Sequence, residues 1–378
     1  MSVNKVIIAC AGGFLGAGKT TALVAAAREL LRRGLRVGVI TNDQGDALVD
    51  TEVMRGFGLP AEEITGGCFC CKFDELVGHA RRLLDQAQPD VILAEAVGSC
   101  TDLAATVYQP LRRYYADQFD LAPLSVFVEP SRLRAFYGGA AEFPETIAYL
   151  FRKQLQEADL VILNKQDTVT NAERDELNRM LSALLDSVPL HSMSAATGQG
   201  IAEWVDALLG AGGADERVLE IDYDTYARAE AALGWLNATV DVTATDDFSP
   251  RSMAERLITE VQSRCASMSA PIAHVKVLVV TKDGCDRIAI TNNPDAPQWS
   301  GEAELAFTRE ASLIVNARVQ TRPEELTRLI EESIADTAGE FKLTASVQHM
   351  ESFSPPPPRP RFRFASCFSP APLGAQCL

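Results

Sequence analysis

The stretch VIIACAGGFLGAGKTT (Val6–Thr21) joins a β-rich apolar run to a glycine-rich loop and the start of a helix. Within it, Gly13, Gly18, Lys19 and Thr20 fit the pattern G-x-x-x-x-G-K-[ST]. The glycines let the backbone N–H groups face a polyphosphate, the lysine reaches the terminal phosphates, and the hydroxyl group reaches Mg²⁺. Because a strand precedes this loop and a helix follows it, we interpret it as a phosphate loop rather than a chance match in a glycine-rich turn. The nucleotide contacts predicted here are Gly13, Gly16, Ala17, Gly18, Lys19, Thr20 and Thr21.

Outward from this loop, short apolar runs alternate with helical patterns as far as about residue 209. The runs predicted as strands are Val6–Ala11, Leu35–Ile40, Val91–Ala96, Leu124–Glu129, Leu160–Asn164 and Pro189–Met193. Several are apolar without alternation, which is typical of strands covered on both faces. The predicted fold class is therefore α/β, with a doubly wound, mostly parallel sheet of the phosphate-loop type over residues 1–209.

The rest of the chain follows a different pattern. Residues 210–220 are rich in Gly, Ala and charge and are predicted to be a linker. Alternating runs and two amphipathic stretches over residues 221–352 predict a second, smaller α+β domain with antiparallel pairing. A proline run then opens residues 353–378, for which we expect a mobile or loosely docked tail.

The bulk composition excludes several classes of partner. The chain has 378 residues, 47% of them hydrophobic, and a net charge of −16. Such a chain has no general attraction for nucleic acid or anionic membranes, and no apolar run reaches the roughly 18 residues of a spanning helix. The N-terminal apolar run leads straight into the phosphate loop, so we interpret it as a buried strand and not as a signal peptide. We expect a cytoplasmic protein with no nucleic-acid or membrane partner.

A second motif indicates which base is bound. NKQD (Asn164–Asp167) ends the predicted fifth strand, and its contacts would come from Asn164, Lys165 and Asp167. A carboxylate accepts hydrogen bonds from both N1–H and the exocyclic amine of guanine, whereas adenine has no hydrogen on N1. In SAATGQG, Ser194 and Ala195 are placed to meet the guanine carbonyl. At the end of a strand downstream of a phosphate loop, we interpret this pattern as a GTP site rather than an ordinary turn.

Polar residues after two other strands complete the predicted nucleotide site. Glu95 is placed to hold the water shell of Mg²⁺, and the N–H of Gly98 to contact the γ-phosphate. Asp43, in TNDQGD, is either a switch residue that contacts Mg²⁺ or the attacking water, or the start of an Asx turn. Lys19, Asp43 and Glu95 are the candidate catalytic residues, and Thr20, Asp43 and Glu95 the candidate Mg²⁺ ligands.

The stretch GGCFCC (Gly66–Cys71) places three thiols within four residues. Cys68, Cys70 and Cys71 can converge only in a bent loop, which the glycines permit. Thiolates favour soft ions such as Zn²⁺ or Cu⁺, and three of them leave an opening that suits an ion to be released. We favour a transition-metal site over a strained disulfide, a reactive nucleophile or buried filler, because the cytosol keeps thiols reduced.

Two further features of the sequence give less specific indications of function. Cys100 lies two residues after Gly98 and is left open as either a further ligand or a small buried residue. Asp222, Asp224 and Glu230 form an acidic group at the start of the second domain, which we interpret as a solvated face.

The order of motifs in this chain resembles that of the CobW-type metallochaperone GTPases, which belong to the SIMIBI class with UreG and HypB. The motifs are the phosphate loop, TNDQGD, GGCFCC, Glu95 with Gly98, and NKQD. The first switch, TNDQGD, is closer to UreG than to most CobW-like members. The resemblance implies slow GTP hydrolysis coupled to binding of a transition metal, Zn²⁺ or Co²⁺ foremost and Ni²⁺ next. It makes Cys68, Cys70 and Cys71 the metal-binding thiolates. It also implies a client metalloenzyme or its maturation complex as partner, and a homodimer is left open.

The resulting hypothesis is an ion carrier in which ordering of the switches by GTP·Mg²⁺ assembles the thiol site. One alternative is a GTPase chaperone of a cobalamin-dependent enzyme, whose turnover would respond to its client even without the three cysteines. Another is a GTP-binding metal sensor or scaffold with negligible turnover.

Overall fold

The computed structural model describes residues 5–43, 51, 54, 58–137, 143–185, 188–210, 218–301 and 305–364. Within these ranges, the chain forms one parallel and one antiparallel sheet, each with its own packed helices. No helix in the described part of the chain combines the length and the apolarity needed to cross a bilayer.

The first sheet is parallel throughout its described pairs and carries the phosphate loop at its centre. Its strands are β1 (Val6–Gly12), β2 (Val37–Asn42), β3 (Ala61–Ile64), β4 (Val91–Glu95), β5 (Phe119–Leu121), β6 (Ser125–Val128), β7 (Leu160–Leu163) and β8 (Leu190–Ser192). The order across the sheet is β3-β2-β4-β1-β6-β7-β8, and β5 also pairs with β1. The register pairs Ala11 with Glu95, which brings the ends of β1 and β4 side by side.

Helices cover both faces of this sheet. They are α1 (Lys19–Arg32), α2 (Phe73–Ala87), α3 (Gln109–Tyr114), α4 (Pro130–Tyr137), α5 (Glu145–Glu157), α6 (Asn171–Leu184) and α7 (Ile201–Leu209). Alternate residues of β1 enter different cores: Ile8 lies in the core formed with α2 and α5, and Ala9 in the core formed with α1 and α7. The predicted doubly wound parallel sheet is therefore confirmed.

Two strands of this sheet were not predicted from the sequence. Edge strand β3 reads AEEI and carries adjacent glutamates, so it lacks the continuous apolar run that marks a buried strand. Strand β5 has three residues, one of them Asp120, which is too few for a periodicity to be recognised.

The second sheet is antiparallel and confirms the predicted α+β architecture. Its strands are β9 (Gly234–Phe248), β10 (Ile272–Thr281), β11 (Gly284–Ile290), β12 (Gln298–Trp299), β13 (Thr308–Val319) and β14 (Thr344–Phe353), in the order β12-β11-β10-β13-β9-β14. The accompanying helices are α8 (Tyr223–Ala231), α9 (Pro250–Ser267) and α10 (Pro323–Phe341).

The two faces of the second sheet differ in polarity because side chains alternate along each strand. Val275 and Val277 of β10 pack into the core that contains α9 and α10. Between and beside them, His274 and Lys276 point to the opposite face, where they line a cavity shared with the phosphate loop. This alternation places a polar sheet face over the nucleotide-binding edge of the first sheet.

Candidate nucleotide and thiol site

The phosphate loop has the backbone shape that its sequence predicts. Gly13 and Gly18 adopt φ values of 118° and 86°, in the left-handed region that favours glycine. A Cβ at Gly13 would lie 2.3 Å from the carbonyl oxygen of Phe127, so a side chain has no room there. The Nζ atom of Lys19 folds back over the loop and donates to the carbonyl oxygens of Gly13 at 2.7 Å and Phe14 at 3.3 Å.

A cavity of about 470 Å³ opens at this loop. The predicted residues that line it are Gly16, Gly18, Lys19, Thr20, Thr21, Asp43, Glu95, Gly98, Asn164, Lys165, Asp167 and Ala195. The structure therefore brings most of the predicted nucleotide residues to one place. Gly13, Ala17 and Ser194 do not line the cavity and instead lie in the loops that form its wall.

Thr20 and Glu95 meet at the phosphate end of the cavity. The hydroxyl of Thr20 donates to a carboxylate oxygen of Glu95 at 3.0 Å, and both side chains are buried. Neighbouring oxygen donors of this kind fit Mg²⁺, which prefers oxygen ligands and keeps several of its waters.

Asn164 connects the loops at the opposite end of the cavity. Its amide nitrogen donates to the carbonyl oxygen of Ala17 at 2.9 Å, and its side-chain oxygen accepts from the N–H of Ala195 at 3.0 Å. Lys165 has a left-handed backbone, and its ammonium group pairs with Glu129. Asp167 remains exposed at the cavity wall, where its carboxylate can reach a ligand.

The second sheet contributes three cations to the same cavity, and sequence reasoning missed all of them. Lys276, Arg287 and Arg318 are each less than a tenth exposed and line the cavity. Arg318 pairs with the carboxylate of Asp43 at 3.0 Å, and Arg287 donates to the hydroxyl of Thr21 at 3.1 Å. In the sequence, polar residues alternate with apolar ones in HVKVL and VNARV, which indicates that each strand has a polar face. This alternation does not indicate that the polar face lies against the first domain.

The three predicted thiols converge in one cluster. The Cys68–Cys70, Cys68–Cys71 and Cys70–Cys71 sulfur distances are 2.8, 3.6 and 3.8 Å. Gly66 bends the loop with φ 68°, and the N–H groups of Cys71 and Lys72 both donate to the carbonyl oxygen of Cys68. Cys68 and Cys70 are buried, whereas Cys71 is partly exposed. This arrangement offers several sulfur ligands to one ion.

Hydrogen bonds within the cluster shift the pKa values of its thiols. The bond to Cys68 raises the pKa of Cys71 to about 11, and bonds to Cys100 raise the pKa values of Cys68 and Cys70. Those three thiols are therefore protonated at neutral pH in the absence of an ion, and a cation that binds them must displace protons.

Asn42 connects the thiol loop to the nucleotide cavity. Its amide nitrogen donates to the carbonyl oxygens of Gly67 at 2.6 Å and Ile64 at 3.0 Å, while its side-chain oxygen accepts from the N–H of Phe69 at 3.0 Å. Asn42 also lines the cavity, directly before Asp43. The sequence directed attention to Asp43 alone, because no local pattern shows that Asn42 bonds to a loop more than twenty residues away.

The tail segment, residues 354–364, lies across the thiol loop. The N–H of Arg359 donates to the sulfur of Cys71 at 3.1 Å, and the N–H of Arg361 donates to the carbonyl oxygen of Cys70 at 2.9 Å. Phe362 packs edge-on against Phe73 with ring centroids 5.4 Å apart. We expected a mobile or loosely docked tail, but the structure holds this part of it by backbone and side-chain contacts that the proline run does not reveal.

A chain that ends at Phe353 should expose Cys71. Because the Arg359 contact is lost, we expect Cys71 to react with a maleimide about tenfold faster, which corresponds to roughly 1.4 kcal/mol of lost protection. Mass-spectrometric mapping of the labelled peptides would measure this rate, with the exposed thiol of Cys285 in the same chain as an internal reference. An unchanged ratio of Cys71 to Cys285 labelling would show that the tail segment does not cover the thiols.

Comparison with known proteins agrees with this geometry. The family model described as the CobW/HypB/UreG nucleotide-binding domain matches residues 7–192. The zinc chaperone CobW of a Sinorhizobium species is 32% identical over 206 residues, which cover 45% of this chain and 54% of that protein. The zinc chaperone YeiR of Escherichia coli K12 is 31% identical over 178 residues, covering 44% of this chain and 48% of YeiR.

The matches to these curated relatives span about half of their length. Among solved structures, the zinc-bound YjiA GTPase of E. coli is 14% identical with a TM-score of 0.36, covering 87% of this chain and 99% of that one. On the family match and the sequence relatives, residues 7–192 are a nucleotide-binding domain of the CobW/HypB/UreG type.

Proposed function

We propose that this chain hydrolyses GTP and uses the nucleotide state to control the binding of a transition metal ion, which it delivers to a client metalloprotein. Zn²⁺ is the first candidate ion, followed by Co²⁺ and Ni²⁺. The observation that carries the proposal is the position of Asn42, which lines the nucleotide cavity and makes three hydrogen bonds to the segment leading into and through the thiol loop. The names of the sequence relatives, zinc chaperones, support the choice of ion.

The nucleotide end of the site supports a polyphosphate substrate. Lys19 lies in the phosphate loop, and Lys276, Arg287 and Arg318 add positive charge from the facing sheet. Thr20 and Glu95 are the residues that would hold Mg²⁺, which when bound offsets the negative charge of the phosphates. A γ-phosphate in the cavity would compete with Asp43 for Arg318, so the Asp43–Arg318 pair is a candidate for rearrangement on GTP binding.

Hydrogen bonds connect the Asp43 segment to the thiol loop, so a movement of Asp43 can displace the thiols. The N–H of Asp43 donates to the carbonyl oxygen of Ile64, and Asn42 bonds to Gly67 and Phe69 beside Cys68. Movement of this segment therefore displaces the backbone that sets the spacing of the sulfur atoms. GTP would favour the ion-binding arrangement, and hydrolysis would relax it. Because the proposed ligands are reduced thiols, we propose that the chain works in the cytoplasm.

Base selectivity provides a sharp test of the nucleotide assignment. The Asp167→Asn substitution should weaken GTP binding by at least about 100-fold, because two charge-assisted hydrogen bonds to guanine are replaced by a mismatched amide. Xanthine presents an N1–H donor beside a carbonyl acceptor, which suits the oxygen and nitrogen of an asparagine amide. XTP should consequently bind this variant better than GTP. Competition between the two nucleotides for a fluorescent analogue measures the change, and wild-type preference for ATP would contradict a guanine site.

Coupled release tests the proposed function as a whole. The full chain is loaded with Zn²⁺ and GTP·Mg²⁺, and phosphate release and transfer of Zn²⁺ to a chromogenic chelator are followed in the same reaction. We expect the two time courses to coincide. Equal rates of ion transfer with GTP and with a non-hydrolysable analogue would contradict control by hydrolysis, and negligible phosphate release would favour the sensor or scaffold.

A further inference from the structure

The three thiols of GGCFCC are not equally open to a second protein. Cys68 and Cys70 are buried, whereas Cys71 is partly exposed. An ion acceptor takes over a bound ion by ligand exchange, so its own ligands have to approach from the side of Cys71. The tail segment occupies this side, with the N–H of Arg359 at 3.1 Å from the sulfur of Cys71. The chain itself therefore closes the route by which an acceptor would reach the ion.

The tail segment is held by its backbone. The N–H groups of Arg361 and Phe364 donate to the carbonyl oxygens of Cys70 at 2.9 Å and Ala105 at 3.2 Å. Pro360 has no N–H to donate, and it lies between the two residues whose N–H groups contact the thiol loop. Hydrogen bonds of this kind do not depend on the identity of the side chain, so a segment of another protein can make them in the same place.

Residues 359–364 lie in a groove formed by the thiol loop, α2, α3 and the loop after β4, which we call the tail groove. Its main electrostatic contact is an ion pair in which the carboxylate of Asp102, 1% exposed, accepts from Nε of Arg363 at 2.7 Å. A buried carboxylate that loses its cation is strongly destabilised, so docking of the tail depends on this pair. Arg361 also pairs with Asp74, at 3.3 Å, but both side chains are exposed and this pair contributes little.

Aromatic rings form another part of the tail groove. Phe362 packs against Phe73 with ring centroids 5.4 Å apart and against Tyr114 with ring centroids 5.5 Å apart. Tyr114 is still 49% exposed, so the groove offers apolar surface beyond what the tail covers. Carboxylates and rings side by side favour a segment in which basic and aromatic residues alternate, as in RFRF of residues 361–364. The net charge of −16 adds a general attraction for a basic partner.

The second domain fixes one wall of the tail groove. In the loop after β4, Ser99 donates to the carboxylate of Glu230 at 2.6 Å, and Asp102 accepts from the hydroxyl of Tyr223 at 2.7 Å. Tyr223 and Glu230 both belong to α8. The expectation that Glu230 belongs to a solvated acidic face is wrong, because its side chain is buried against this loop. This wall is therefore preorganised, which lowers the cost of exchanging one bound segment for another.

We propose that the protein that accepts the ion docks in the tail groove through a segment of alternating basic and aromatic residues, and that residues 359–364 are an internal competitor for this groove. The proposal rests on the proposed function, since it takes the thiols of GGCFCC as the ion site. Because the tail is part of the same chain, its effective concentration at the groove is in the millimolar range typical of short linkers. The tail thus shields the ion from weak ligands in solution and yields to a protein that fits the groove.

The first test is binding of a fluorescent peptide, PRPRFRF of residues 358–364, to the full chain without metal, followed by fluorescence anisotropy. Arg363→Glu places a carboxylate against Asp102 and so releases the tail, and we expect this variant to bind the peptide at least about 10-fold more tightly than the wild type. Arg361→Glu is the matched control, because it makes the same change of charge opposite the exposed Asp74. Its peptide affinity should stay within about twofold of the wild type. A peptide with glutamate in place of each arginine should not bind.

The second test is transfer of Zn²⁺ to a chromogenic chelator from the full chain, loaded with Zn²⁺ and a non-hydrolysable GTP analogue. Transfer from Arg363→Glu should be about 10-fold faster than from the wild type, and saturating peptide should slow it again by refilling the tail groove. If Arg363→Glu fails to fold, as judged by circular dichroism, Phe362→Ala replaces it, because this change removes the ring contacts with Phe73 and Tyr114 and introduces no charge.

The two measurements separate this proposal from the function on which it rests. Equal peptide affinities of the wild type and the tail variant, or a transfer rate that neither the variant nor the peptide changes, would overturn the docking role of the tail groove while leaving the thiols as an ion site. A gain in peptide affinity in a chain whose thiols do not bind Zn²⁺ would instead contradict the proposed function and leave the groove as a peptide-binding site.

Discussion

Replacing Lys19 by alanine should lower the rate of GTP hydrolysis by about 100- to 1,000-fold, the usual cost of removing one preorganised electrostatic group from a transition state. The Lys19 side chain is 6% exposed and donates to the carbonyl oxygens of the phosphate loop. A polyphosphate in the cavity would accept those hydrogen bonds instead, and the alanine side chain of the variant has no donor to replace them. Phosphate release at saturating GTP measures the effect.

A matched control comes from Lys5, whose ammonium group forms an exposed ion pair with Asp120 at 3.2 Å. Lys5→Ala should leave hydrolysis unchanged, because exposed ion pairs contribute at most about 1 kcal/mol to stability and this one does not line the cavity. If Lys19→Ala retained wild-type turnover, the cavity at the phosphate loop would not be the hydrolytic site.

Changing Cys68, Cys70 and Cys71 together to serine should weaken Zn²⁺ binding by at least about 1,000-fold, or roughly 4 kcal/mol, a fraction of the free energy of structural zinc sites. Serine keeps the size of each side chain and removes the thiolate that a soft ion prefers. Competition with a chromogenic chelator measures the affinity. GTP binding without the ion should be retained, because these side chains do not line the nucleotide cavity.

Cys265→Ser serves as the control, since Cys265 lies in the core of the second domain. Wild-type Zn²⁺ affinity in the triple variant would contradict the thiol cluster as the ion site. GTP turnover that still responds to a client in the triple variant would favour the chaperone of a cobalamin-dependent enzyme.

Local signals explain why the first domain could be predicted from the sequence. The phosphate loop, its strand and its helix are contiguous from Val6 to Arg32, so residue spacing alone identifies them. The three thiols are likewise within one short loop, and Gly66 supplies the bend. Parallel strands bring their ends to one edge of a sheet, which is why Glu95 and Asp167 could be assigned to the same site before their distances were known.

Contacts between distant segments explain what the sequence did not reveal. Arg318 meets Asp43 across 275 positions of the chain, and the tail segment reaches Cys71 across 288. No periodicity in the sequence reveals either contact, because both depend on how the second sheet and the chain after β14 pack against the first domain. Asn42 was missed for the same reason: an asparagine at the end of a strand looks like a turn residue until its partners in the thiol loop are seen.

In the proposed mechanism, the bound nucleotide sets the affinity of the thiol cluster for its ion. Titration of the full chain with Zn²⁺ in the presence of GDP, and separately in the presence of a non-hydrolysable GTP analogue, tests it most directly. We expect Zn²⁺ to bind more tightly with the analogue by a factor of about 5 to 150, the range of typical allosteric coupling, and nucleotide affinity to rise by the same factor when the ion is bound. Equal Zn²⁺ affinities in the two nucleotide states would contradict it.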